Sequence, residues 1–248
     1  MLINNFNDFN NFNNIKIIEN NNIFPSIRHL SSYESAISIL ENKNFMSRQE
    51  LLNNNININK KNKKLEFDNK WWIERKNIEL EKFKTENLIF CTPDWYNTYD
   101  HETGHGPVMF YFKPSIFEDY KVTFTLLDNI SSEIKKIYDK NELSDIYYNI
   151  LNKNKKSKLL LEAKTILTNL DITNIGSMYN TSMGKIFIEE GKFYYKYSEV
   201  QIHSNKIPIE YISKIKLTNN YLDYSEEDNN IKEKFISICK KLKIKIII

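Results

Sequence analysis

The chain has 248 residues, enough to bury a full hydrophobic core without help from disulfides or metals. Its 35 Lys and Arg against 32 Asp and Glu leave a net charge of +3, which argues against a general binder of nucleic acid or membrane surfaces. No apolar run is long enough to cross a bilayer, and no secretory signal pattern opens the sequence. With only two cysteines, Cys91 and Cys239, we expect a cytoplasmic protein without membrane contact.

The amino-acid usage is skewed toward Asn, Ile and Lys, while Ala is nearly absent and Gly occurs only 5 times. Such a skew is typical of AT-rich coding sequences, so runs of Asn indicate little beyond solvated chain. We therefore interpret residues 1–24 as an Asn-rich lead segment and residues 25–248 as a single domain.

The first elements alternate strand and helix. Ile27–Leu30 is predicted to be a strand, and Ser31–Glu34 has the spacing of a capping box at the start of a helix. Apolar residues at three- and four-residue steps extend this helix to about Asn42. Phe45–Arg48 is predicted to be extended, and residues 53–64 to form a basic surface loop.

The remaining pattern places helices in the middle of the chain and strands at both ends. Helices are predicted at 71–83, 131–151, 157–170 and 231–242. Strands are predicted at 88–92 (ending at Pro93), 107–113, 120–127, 185–189, 192–197, 200–203, 215–217 and 244–248, with a helical turn at 208–212. This order predicts one α+β domain.

One motif suggests a metal site. His101-Glu102-Thr103-Gly104-His105 satisfies the HExxH formula, in which two histidines one helical turn apart bind zinc and the glutamate activates water. The formula requires a helix, which Gly106 and Pro107 disfavour, and only His203 follows as a further histidine. We therefore expect a polar loop without a stable metal, and a zinc hydrolase stays an alternative.

Two other segments, far apart in the chain, share a resemblance. Arg28–Glu34 followed by Phe45–Arg48 resembles the opening of ADP-ribosyltransferase folds, and Glu199-Val-Gln-Ile with Ile207–Ile212 is similar to their catalytic-glutamate strand and the turn after it. DarT-like and phage or effector members share this order of elements. The resemblance implies an α+β fold with a split β-sheet core and flanking helices, in which residues 88–113 wall the nicotinamide cleft.

The resemblance also implies an activity. NAD would be the co-substrate, and Glu199 would stabilise the oxocarbenium ion that forms as nicotinamide leaves. ADP-ribose would pass to a macromolecular acceptor, a protein side chain or a nucleic acid, in the manner of a toxin or effector that acts in its own or a host cytosol. The implied cofactor-binding residues are His29 and Ser31 on the first strand, Arg48 at the pyrophosphate, Tyr33 and Phe45 as aromatic surfaces, and Tyr111 as the middle member of the catalytic set.

Several assignments stay open. Aromatic residues spaced like Tyr33 more often belong to a core, and Arg48 fits a solvated role equally well. Tyr197 stands where many arginine- or asparagine-modifying members carry Gln or Glu, so the acceptor is undefined. A base for the acceptor could come from Asp94, Asp100 or His105, of which we select His105.

Three alternatives from other functional classes remain beside the transferase. The basic loop 53–64, with Trp71 and Trp72 behind it, fits a non-catalytic module that binds nucleic acid or an acidic protein. A transferase-like fold that only binds NAD is the second, and the zinc hydrolase is the third. A Rossmann or P-loop nucleotide site is disfavoured, because the chain carries neither glycine-rich motif.

Overall fold

A computed structural model describes residues 23–54, 77, 80–84, 87–94, 106–125, 136–152, 158–159, 199–218 and 226–247. The Asn-rich start, the basic stretch 55–76, the HExxH motif and residues 160–198 lie outside these ranges. The predicted strands 185–189 and 192–197 and most of the predicted helices 71–83 and 157–170 therefore stay predictions.

The described residues form ten strands and five helices. The strands are β1 Ser26–Ser31, β2 Asn44–Met46, β3 Leu88–Asp94, β4 Val108–Phe112, β5 Val122–Thr125, β6 Tyr138–Asp139, β7 Glu199–His203, β8 Lys206–Pro208, β9 Ile212–Leu217 and β10 Ile246–Ile247. The helices are α1 Tyr33–Glu41, α2 Arg48–Asn53, α3 Ile116–Asp119, α4 Lys140–Leu151 and α5 Glu226–Lys241. A single 3₁₀ turn, Ile209–Tyr211, joins β8 to β9.

Eight strands form one sheet in the order β10-β9-β4-β1-β3-β7-β5-β6, and β2 pairs with β8 in a separate two-stranded ribbon. Every pair is antiparallel except β9 with β10. Strand β7, from late in the chain, is inserted between β3 and β5. The predicted α+β class is confirmed, because helices pack on a mostly antiparallel sheet.

The sheet divides along β3. Strand β1 pairs with its end, where Arg28 lies opposite Thr92, whereas β7 pairs with its beginning, from Leu88 to Cys91. Beyond Arg28, β1 leaves β3, and the next residue, His29, places its ring Nδ1 2.8 Å from the carbonyl oxygen of Phe90. We call this branch point of β1, β3 and β7 the fork. It gives the sheet its split character.

The core covers one face of this sheet. Alternate residues of β1, β3, β4 and β7 point into it because side chains of a strand alternate between faces. Helices α1 and α5 close it, with the rings of Tyr33 and Phe235 5.6 Å apart. Each large side chain that is fully buried here contributes about 1.5–3 kcal/mol to folding.

Two helix starts differ from the sequence prediction. The cap of α1 is Ser32, whose Oγ accepts from the amide of Ser35 at 3.2 Å, so the residue three positions on is a serine and Glu34 does not complete the predicted box. Arg48 is helical rather than extended, because the Oγ of Ser47 accepts from the amide of Glu50 at 3.2 Å and starts α2.

Two other boundaries also move. The helix predicted from 131 begins at Lys140, where Asp139 Oδ1 accepts from the amide of Glu142 at 2.9 Å and Glu142 Oε2 accepts from the amide of Asp139 at 3.0 Å. This is a complete capping box preceded by β6. Strand β3 continues through Pro93 to Asp94, opposite Ile27 and Ser26 of β1.

Helix ends in this glycine-poor chain use lysine in the left-handed conformation. Lys43 after α1 and Lys243 after α5 have φ of 55° and 56°. A residue with a Cβ is disfavoured there, and glycine is the usual occupant. We expect Lys43→Gly to raise the free energy of unfolding by about 0.5–1 kcal/mol, measured by urea denaturation. The matched Asn42→Gly change, at φ −80°, should lower it.

Candidate active site

At the fork, β3 lies between the strand of His29 and the strand of Glu199. Val200 lies opposite Cys91 of β3, so Glu199 stands at the level of Thr92 in the same register. Thr92 lies opposite Arg28 on its other side. Because paired residues of antiparallel strands point to the same face, Arg28, Thr92 and Glu199 form a row, with about 10 Å between the Cα atoms at its ends.

Arg28 is the buried cation of this row, with 9% of its surface exposed. Its Nε donates to Thr92 Oγ1 at 3.3 Å, and its Nη1 lies 3.9 Å from Asp94 Oδ1 and 3.6 Å from Met109 Sδ. A buried guanidinium is costly unless it is paired in this way. Arg28 is not among the predicted site residues, because a charged residue in a strand gives no signal of burial.

His29 lies at the fork itself. Its partner atom is a carbonyl oxygen, which only accepts, so Nδ1 carries the proton and donates. In the neutral ring, Nε2 is therefore a hydrogen-bond acceptor. The ring packs edge-on against Phe45, with 5.4 Å between centroids. The fold thus fixes both the orientation and the tautomer of His29.

Ser31 and Tyr111 lie on the same pair of strands. Ser31 ends β1 opposite Val108 and is buried, whereas Tyr111 of β4 lies opposite Arg28, next to the row. The ammonium group of Lys214 stands 4.7 Å from the centroid of the Tyr111 ring. Burial lowers the pKa of Lys214, and the neighbouring Lys245 and Lys216 lower it further, against an opposing effect of Asp94.

The aromatic surfaces assigned to Tyr33 and Phe45 are core contacts. Phe45 is 1% exposed and packs against Phe110 and Phe112, and Tyr33 packs against Phe235. Both rings are largely buried, and the side chains beside Phe45 include His29. The aromatic character of these two residues thus reflects their packing in the core.

Of the other predicted residues, the structure describes Arg48 and Asp94. Arg48 is exposed at the start of α2, and Asp94 ends β3 beside Arg28. His105, Asp100 and Tyr197 lie outside the described residues. Gly106, which follows His105, has a φ of +123° and lies against the backbone where β1 meets α1.

Behind Glu199 runs a chain of buried polar side chains that the sequence did not indicate. Gln201 is fully buried, and its Nε2 lies 2.9 Å from Thr125 Oγ1 and 3.3 Å from the carbonyl oxygen of Glu199. Its Oε1 accepts from Thr123 Oγ1 at 3.1 Å, and His203 Nε2 lies 2.8 Å from the same hydroxyl. We call these four side chains, Gln201, Thr125, Thr123 and His203, the polar chain.

His203 ends the polar chain in its neutral form. Burial lowers its pKa from 6.5 to about 4, and the nearby Lys121 contributes. Since the one proton of the Thr123 hydroxyl goes to Gln201, the Nε2 of His203 carries a proton and donates. Its ring also packs edge-on against Phe83, with 6.2 Å between centroids.

This lowered pKa predicts an acid-dependent loss of stability. The unfolded chain takes up the proton at about pH 6.5 and the folded chain only near 4, so stability falls as the pH drops through that window. Urea midpoints measured from pH 7 to pH 4 should therefore fall more steeply for the native protein than for His203→Gln. Parallel curves would contradict a neutral, buried His203.

Among the described residues, the fork offers no thiol nucleophile. Cys91 is buried on the opposite face of β3, and burial raises the pKa of its thiol, so it is not a nucleophile. Within the described ranges, no group of three or more His, Cys, Asp or Glu side chains is arranged to hold a metal ion. No helix built from the described residues has the length and apolar character to cross a membrane.

Solved structures match this chain, and the likeness is one of fold. The DarTG protein of Thermosipho africanus in complex with ADP-ribose matches with a TM-score of 0.50 and 16% identity, over 90% of this chain and 50% of that one. DarT of Thermus sp. 2.9 in complex with NAD⁺ matches with a TM-score of 0.47 and 10% identity, over 90% of this chain and 96% of that one. The same DarT in complex with ADP-ribosylated single-stranded DNA matches with a TM-score of 0.47 and 10% identity, over 90% of this chain and 93% of that one.

The chain therefore has a DarT-like ADP-ribosyltransferase fold, and the predicted fold is confirmed. No protein-family model and no curated protein matches the sequence.

Proposed function

We propose that the protein is an NAD-dependent mono-ADP-ribosyltransferase, which cleaves the bond between nicotinamide and ribose and transfers ADP-ribose to a macromolecular acceptor. The observation that carries the proposal is the fork. It places the partly buried Glu199 at the level of Arg28, with β3 between their strands, and it orients the ring of His29, the residue after Arg28, on the other face of β1. The shared fold with DarTG, solved with ADP-ribose, supports the same reading.

Glu199 would carry the chemical step. Departure of nicotinamide leaves positive charge on the ribose carbon, and a carboxylate held beside it stabilises that charge. The pairing of Glu199 with Thr125 of β5 holds its backbone in the sheet, so the carboxylate would need less reorganisation as charge develops. The same carboxylate can accept a hydrogen bond from a ribose hydroxyl.

His29 would orient the ribose. The hydrogen bond from its Nδ1 to the carbonyl oxygen of Phe90 fixes the orientation in which the ring would meet the sugar. Ser31, two residues further along β1, and Tyr111 on β4 are proposed to complete the pocket. Arg48, which is exposed on α2, stays the proposed pyrophosphate contact.

The acceptor is proposed to be a protein side chain or a nucleic acid, with His105 as the base that deprotonates it. A toxin or effector acting in a cytoplasm fits such an enzyme. The titration of His105 would then set the pH dependence of transfer, but not that of NAD cleavage without an acceptor.

The test uses purified protein, NAD labelled in the adenylate part and a cell lysate, with Glu199→Ala in parallel. We expect nicotinamide release and label retained on macromolecules, both dependent on Glu199. Digestion with nuclease or protease then identifies the acceptor class. Folded native protein that consumes no NAD, alone or with lysate, would refute the proposal and favour a binding module.

A further inference from the structure

The polar chain is built around the backbone of Glu199. Of the two protons on the amide nitrogen of Gln201, one goes to Thr125 Oγ1 and the other to the carbonyl oxygen of Glu199. Thr125 is also the residue opposite Glu199 on β5. Gln201 therefore binds both members of one cross-strand pair, and that pair carries the carboxylate.

Gln201 acts on the end of β7 that carries the carboxylate. Within the described residues, the pairs of β7 with β3 run from His203 to Val200, and Glu199 lies one residue further on, opposite Thr125 of β5. The hydrogen bond from Gln201 ties down the carbonyl group at that point.

If its role were only structural, the polar chain would be a costly way to fill the interior of the fold. Gln201 and Thr125 are both fully buried, and burying polar groups destabilises a fold unless their hydrogen bonds are made. Apolar residues would fill the same positions without that requirement. The completed bonds, by contrast, hold one rotamer of Gln201 and one position of β7.

We propose that Gln201 and Thr125 are positioning residues, which hold the start of β7 so that the Glu199 carboxylate faces the fork. This inference rests on the proposed function, since it concerns residues that support the catalytic residue of the same site. Thr123 and His203 extend the effect by fixing the amide of Gln201 from its other end.

The test compares Thr125→Val, which keeps the shape but loses the hydroxyl, with Thr125→Ser, which keeps the hydroxyl. Gln201→Leu removes the amide. Ile202→Val is the control, because Ile202 is a fully buried residue of the same strand that points to the opposite face. All four are compared with the native protein in NAD cleavage and in amide hydrogen exchange.

We expect Thr125→Val and Gln201→Leu to lower kcat about tenfold with KM changed less than twofold, because only the transition-state contact of Glu199 is displaced. Amide exchange at Glu199 and Val200 should accelerate in both. Thr125→Ser should recover most of the activity, and Ile202→Val should lose thermal stability without a change in kcat or in exchange at Glu199.

Three results would overturn the inference: exchange at Glu199 unchanged in Thr125→Val, a loss confined to KM, or Thr125→Ser as impaired as Thr125→Val. A native protein that does not cleave NAD refutes the proposed function instead. In that case the exchange measurement alone decides whether the polar chain holds Glu199.

Discussion

Glu199→Gln is expected to lower kcat for NAD cleavage by on the order of 10³, or about 4 kcal/mol of transition-state stabilisation. The amide keeps the size of the side chain but has no charge to set against the oxocarbenium ion. NAD binding should change little, because that charge develops only as nicotinamide leaves. Nicotinamide release under saturating NAD and NAD affinity by calorimetry measure the two quantities separately.

Glu210→Gln is the matched control, since it makes the same chemical change on the exposed 3₁₀ turn, one strand beyond β7 in the chain. It should retain native kcat. Equal losses in the two variants would show that net charge, and not the position of Glu199, governs the activity.

Gly106→Ala is expected to destabilise the protein by at least about 3 kcal/mol. A Cβ at this position would lie 2.4 Å from the carbonyl oxygen of Ser31 and 2.5 Å from the amide nitrogen of Ser32, and the φ of +123° is itself strained for any residue with a side chain. The affected contact joins β4 to the turn between β1 and α1. Urea denaturation followed by circular dichroism measures the loss.

The clash involves backbone atoms, so trimming the neighbouring side chain should not relieve it. The cost of Gly106→Ala is therefore expected to be the same in a Ser31→Ala background. A double mutant that is clearly more stable than the sum of the single changes would show that the Ser31 hydroxyl, and not the backbone, limits the space beside Gly106.

Local signals predicted the elements that lie at the fork. The apolar residues of β1, β3 and β7 and the hydroxyl before α1 are short-range features, so they can be read without knowledge of pairing. The strand positions of Glu199 and His29 followed from them. The resemblance then supplied a fold that the sheet order confirms.

The contacts of the site depended on long-range pairing and could not be predicted in this way. Arg28 and Gln201 are buried only because β3 and β5 lie beside them, and their polar partners are far away in sequence. Phe45 was assigned to a ligand because a single sequence cannot distinguish an aromatic residue of a cleft from one of a core. The observed cap of α1, Ser32, lies one residue after the predicted one, since the sequence does not show whether Ser31 or Ser32 supplies the hydroxyl.

The insertion of β7 between β3 and β5 has a consequence for protein synthesis. Both neighbours leave the ribosome before β7 does, so the nascent chain holds two strands with open edges until Glu199 and the residues after it have been translated. The carboxylate cannot reach its place before then. Under the proposed function, the chain would thus stay inert on the ribosome, and truncated translation products would not consume NAD.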